Sequence, residues 1–133
     1  MNVQVINEQY IDEIWDGVKP FIESALEHTD DYNAEQCKQF LKYGHWALFV
    51  AVENEILCGV ATVFIEQGIN HKTALITTIS GKGIVNKDAM EQLVNILKKA
   101  GMDRIQGYAR DSLVRLYQRF GLQKKANLVE FKL

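Results

Sequence analysis

The spacing of hydrophobic positions changes several times along the chain, and each change marks an element. Residues 2–6 alternate and predict a short strand. From Glu8 onward Ile11, Ile14, Trp15, Val18, Ile22 and Leu26 recur at helical spacing. Pro20 falls inside that run and disfavours helical geometry at Lys19, so a kink is expected, or two short helices with Pro20 in the first turn of the second. Asp30, Asp31 and Asn33 make a polar break. Asn33 is placed to cap a helix over residues 34–44, with Cys37, Phe40, Leu41 and Tyr43 on its apolar face and Gly44 ending it.

At Trp46 the pattern becomes strand-like. Residues 46–52 are a seven-residue apolar run, Glu53, Asn54 and Glu55 form a turn, and residues 56–66 read as the antiparallel partner. A second turn, 67–72, leads to the β-branched stretch 73–80, a third strand. After Gly81-Lys82-Gly83 comes a helix with Met90, Leu93, Val94, Leu97 and Ala100 on one face. Lys98 and Lys99 suit its negative C-terminal end, and Gly101 stops it. Residues 104–109 read as a strand, and 111–121 as a helix carrying Leu113, Leu116, Tyr117 and Phe120 on one stripe. Residues 127–133 read as a closing strand. The order β-α-α-β-β-β-α-β-α-β predicts an α/β fold: an antiparallel meander continued by crossovers into a mixed sheet, with helices on both faces.

Composition narrows the function classes. The 133 residues match one domain, 1–133, with 47% hydrophobic and 24% charged positions, and no long linker or repeat. A net charge of −2 with dispersed Lys and Arg argues against nucleic acid, whose phosphates call for a basic face. No signal peptide and no apolar run of membrane-spanning length is evident, so a cytoplasmic address without membrane association is expected. Cys37 and Cys58 fall inside a helix and a strand, which fits reduced thiols better than a disulfide scaffold.

Two stretches carry a family resemblance. The first is Ser80-Gly81-Lys82-Gly83-Ile84-Val85, between the third meander strand and the long helix. The second is Leu113-Val114-Arg115-Leu116-Tyr117-Gln118-Arg119-Phe120-Gly121-Leu122. Together with the element order, they resemble the GCN5-related N-acetyltransferases. Gly83 fills the central glycine of that family's cofactor loop, while Ser80 replaces its Gln or Arg and Val85 its small final residue. The resemblance implies acetyl-CoA as co-substrate, held by Ile79, Gly81, Lys82, Gly83, Ile84 and Val85. It implies direct transfer to an amine acceptor, with Tyr117 protonating the departing thiolate. Physical chemistry supports the loop independently: glycines at a strand end let N–H groups converge on an anion, and the next helix adds its positive end. A plain turn before a helix explains the same residues. Tyr117 has an alternative as well, a core residue on the stripe with Leu113 and Phe120.

Other chemistries find little support. Residues 73–79 contain no acid, so a general base would have to be Glu66, with Glu53 and Asp103 behind it, and none is assigned. His28, His45 and His71 lack metal-type spacing, and Lys82 is not followed by the Ser or Thr of a nucleotide-binding loop. Arg110 and Asp111 stand where the family frequently has Asn. The competing expectation is a catalytically inactive relative, an accessory or phage-encoded factor, binding a protein through Trp15, Phe21 or Trp46. A homodimer is left open.

Overall fold

The computed structural model describes residues 1–133. Strand β1 (Asn2–Ile6) leads through a 3₁₀ turn into helix α1 (Ile11–Ala25), then helix α2 (Ala34–Lys42). Strands β2 (Trp46–Glu53), β3 (Ile56–Gln67) and β4 (Lys72–Ser80) follow. Helix α3 (Lys87–Lys99), strand β5 (Arg104–Gly107) and helix α4 (Asp111–Arg119) complete the chain's elements. The five strands form one sheet in the order β1-β2-β3-β4-β5, antiparallel except for the parallel β4–β5 pair.

Alternation on the inner strands places one core on each face. Phe49, Ala51, Ala61, Val63 and Ala74 pack with Met90, Leu93 and Leu97 of α3. Trp46, Leu48, Val50 and Val60 pack with Ile11, Trp15, Val18 and Ile22 of α1 and Cys37 and Leu41 of α2. The helices therefore cover both faces, as the pattern predicts.

Several local expectations change. Helix α1 runs unbroken through Pro20. Lys19, Pro20 and the carbonyl freed at Asp16 lie on the exposed face, where water can satisfy it, while the buried stripe holds the helix to the sheet. Asn33 caps α2 through a reciprocal box: its side chain accepts from Gln36 N–H at 2.8 Å, and Gln36 Oε1 accepts from Asn33 N–H at 3.0 Å. Tyr43 and Val94, expected on apolar faces, are exposed. Trp15 and Trp46, offered as interface residues, are buried, and Phe21 is half-buried against the same core.

The largest correction is at the end of the chain. No strand forms over 127–133, and Leu128, Val129, Phe131 and Leu133 are 75% to 115% exposed. Strand propensity measures fit to a pleated, half-buried surface, and the alternating tail meets none here. Only the exposed ion pair between Lys132 and Asp30, at 3.6 Å, ties it down.

Candidate functional site

The two parallel strands make a fork. Pairing of β4 with β5 covers only Thr73–Ile76 against Arg104–Gly107. Past Ile76, residues 77–80 of β4 stay bonded to β3 on one side, while the chain after Gly107 departs through Tyr108 towards α4. One edge of Thr77–Ser80 is thus left unpaired beside the central strands, a row of peptide groups able to accept an extended ligand. The other end of the fork is tied. Asp103 Oδ1 lies 2.8 Å from His71 Nδ1, and Asp103 Oδ2 accepts from Lys72 N–H at 2.9 Å. Arg104 Nε donates to Thr73 Oγ1 at 2.7 Å. The Lys72 N–H, then the His71 contact, hold the Asp103 carboxyl below its usual range.

The glycine loop follows directly from the open end of β4. Gly81 takes φ +104°, a conformation costly for any side chain. A Cβ there would meet Cys58 O at 2.5 Å, and a Cβ on buried Gly83 would run into the Cys58 side chain. Both glycines are therefore explained by close packing of the loop against β3. Gly83 N–H donates to Cys58 O at 3.0 Å, and the Ile84 and Val85 N–H groups both donate to Gly81 O at 3.1 Å. Ile84 is fully buried, while Ile79 and Val85 pack half-buried against the α3-side core. Gly81 and Lys82 N–H have no backbone acceptor, and the Lys82 side chain is exposed. Asn86 caps α3 by accepting from Ala89 N–H at 2.9 Å and donates from Nδ2 to Lys82 O at 2.9 Å.

Tyr117 lies on α4, a strongly amphipathic helix with no buried residue of its own. Phe120 and Leu122 anchor the helix end to the α3-side core; Tyr117 belongs to neither core cluster and is half-buried. Burial raises its phenol above the ordinary value of 10.0, so the hydroxyl keeps its proton. The carboxylates considered as bases lie elsewhere. Glu66 is exposed and opposite Thr73 at the tied end of the fork, Glu53 borders the β2–β3 turn near the N-terminal amine, and Asp103 is engaged by His71 and Lys72.

Two features were not foreseen in the sequence. A bulge in β4 inserts Thr77, since Thr62 faces Thr78 but Val63 faces Ile76. Consecutive threonines therefore turn to the α1–α2 face, and the Thr62 hydroxyl lies 2.7 Å from both the Thr77 and Thr78 hydroxyls. Beside them is a pocket of about 200 Å³ lined by Tyr32, Phe40, Trp46, Phe64, Leu75 and Thr77. The Tyr32 ring meets Trp46 edge-on at 4.9 Å, and Phe40 lies 4.8 Å from Trp46. The Thr77-Thr78 doublet was the available signal for the bulge. Nothing comparable announced the pocket.

No family model matches the sequence, and no curated protein matches it. Solved structures do match across the whole chain. An aminoglycoside acetyltransferase from an uncultured soil metagenomic sample, in complex with sisomicin, superposes with a TM-score of 0.74 at 12% identity, over 99% of this chain and 94% of that one. A probable acetyltransferase reaches 0.72 at 11% identity, covering 100% and 97%. The aminoglycoside acetyltransferase AAC(6')-Iy, in complex with a bisubstrate analog, CoA-S-monomethyl-acetylneamine, reaches 0.68 at 15%, covering 99% and 97%. At such identities the likeness shows the fold, and that fold is the one shared by these acetyltransferases.

Proposed function

We propose that this chain, whose fold is that of the GCN5-related N-acetyltransferases, moves an acetyl group from acetyl-CoA to the nitrogen of an amine. The open fork carries the reading. A pantetheine arm can pair with the free edge of Thr77–Ser80, past Ile79, while its pyrophosphate lies at the loop. The residues present fit this demand in part. Gly81 and Lys82 N–H and the Lys82 ammonium are open to an anion, with the positive end of α3 behind them. Gly83, Ile84 and Val85 spend their N–H groups on backbone carbonyls, so their role is to shape the loop. Ile84 does so from the core.

In the transfer, the amine nitrogen attacks the thioester carbonyl carbon. The C–N bond forms, the C–S bond breaks, and its electron pair goes to sulfur. Tyr117 gives its phenolic proton to the thiolate and is reprotonated from solvent, while the proton lost by nitrogen passes to water. A phenol held protonated by burial suits this role. Isothermal calorimetry with acetyl-CoA and CoA tests the reading, with release of the free thiol on adding amines as the second measurement. Saturable binding below millimolar ligand is expected. No heat at millimolar concentration overturns it.

The engaged N–H groups at Gly83, Ile84 and Val85 favour a second reading, a relative that keeps the fold and binds a protein without catalysis. The apolar tail at Leu128, Val129, Phe131 and Leu133 replaces the buried tryptophans as its contact surface. The same titration separates the two.

A further inference from the structure

The aromatic pocket and the free strand edge meet at one residue. Thr77 is the first position of β4 beyond the last rung of the fork, and it also lines the pocket. The bulge turns its side chain to the pocket side of the sheet, where the hydroxyl donates to Thr62 O at 3.1 Å. Trp46, Phe64 and Leu75 lie in register across β2, β3 and β4, forming a flat floor. Tyr32, just before α2, stands edge-on to Trp46, and Phe40 of α2 lies tilted against the same ring by 39°. No lysine, arginine or carboxylate lines the pocket. Asp31, the residue before Tyr32, is exposed.

A polycationic acceptor would need carboxylates to replace its hydration, and none lines these walls. An aromatic group fits them, because rings meeting edge-to-face gain beyond their buried area. We infer that this pocket is the acceptor subsite and takes the aromatic body of an arylalkylamine, leaving its amine beside Thr77. The inference rests on the acetyl-transfer reading for its chemistry, but the binding can be measured without cofactor. A short alkyl spacer lets the ring sit on Phe64 and Leu75 while the nitrogen reaches the fork.

The experiment pairs equilibrium binding, read from Trp46 and Trp15 fluorescence, with acetylation rates for phenethylamine, tryptamine, spermidine and kanamycin. Phenethylamine and tryptamine should bind without acetyl-CoA, and their kcat/KM should exceed that of the two polycations by about tenfold or more. Two variants at partly exposed positions of the pocket, Tyr32→Ser in its wall and Phe64→Ser in its floor, should each lower affinity for the aromatic amines about tenfold, with little change in CoA binding. Circular dichroism confirms that they fold. Preference for spermidine or kanamycin, or unchanged arylalkylamine binding in both folded variants, overturns the inference while leaving acetyl transfer standing. Arylalkylamine binding lost in the variants, together with no CoA binding, keeps the pocket and removes the enzyme reading.

Discussion

Removing the Tyr117 hydroxyl isolates a single atom of the proposed chemistry. Tyr117→Phe should lower kcat by roughly 10²-fold or more, with CoA affinity and thermal stability nearly unchanged, because only a positioned proton is lost. Steady-state kinetics beside a melting curve checks this; equal turnover in the two proteins returns Tyr117 to a packing role. Cys37 makes a separate prediction about pH. Burial pushes its thiol from 9.0 up to about 11, so the folded state resists forming the thiolate. The unfolded chain ionises first. That part of the stability is therefore complete below pH 9 and disappears as pH rises to about 11. Urea midpoints measured across this window should fall less steeply for Cys37→Ala than for the parent. The buried placement of Cys37 was legible from helical spacing. The condition of Gly83 was not, because its constraint comes from Cys58, which is distant in sequence and brought near by a bulge in β3.

Turns and caps translate most directly from residues into elements. Asn54 and Glu55 join β2 to β3 with φ of +51° and +65°, the two left-handed positions of a tight hairpin. Glutamate is poorly suited to the second position. Glu55→Gly should raise stability by roughly 0.5–1 kcal/mol, the difference between left-handed strain in a side-chain-bearing residue and the entropy of glycine. The capping box of α2 predicts the opposite sign. Asn33→Ala should cost about 1 kcal/mol by leaving the Gln36 N–H without its acceptor. Chemical denaturation measures both. Each of these sites was visible in the sequence as a polar break between periodic runs. The Thr77 bulge left only the Thr77-Thr78 doublet as a sign, since one extra β-branched residue leaves strand propensity unchanged while it alters the register across β3 and β4.

Across the whole molecule, element order, strand direction and the two-faced core followed from periodicity and short connections. The closing strand did not, because alternation at Val129, Phe131 and Leu133 says nothing about whether a pairing edge is in reach. Deleting residues 127–133 should therefore leave the unfolding midpoint within about 2 °C, since exposed apolar groups and one exposed ion pair contribute little to folding. A large drop would mean that the tail is docked. The fork has a mechanical side. Its four rungs span about 10 Å at roughly 3.3 Å per residue. Disabling the grip with Asp103→Ala should speed hydrogen exchange at Ile105 and Gln106 while leaving Phe49 and Val50 protected. The pairing of β4 with β5 would then open from its tied end, while the three inner strands keep their rungs.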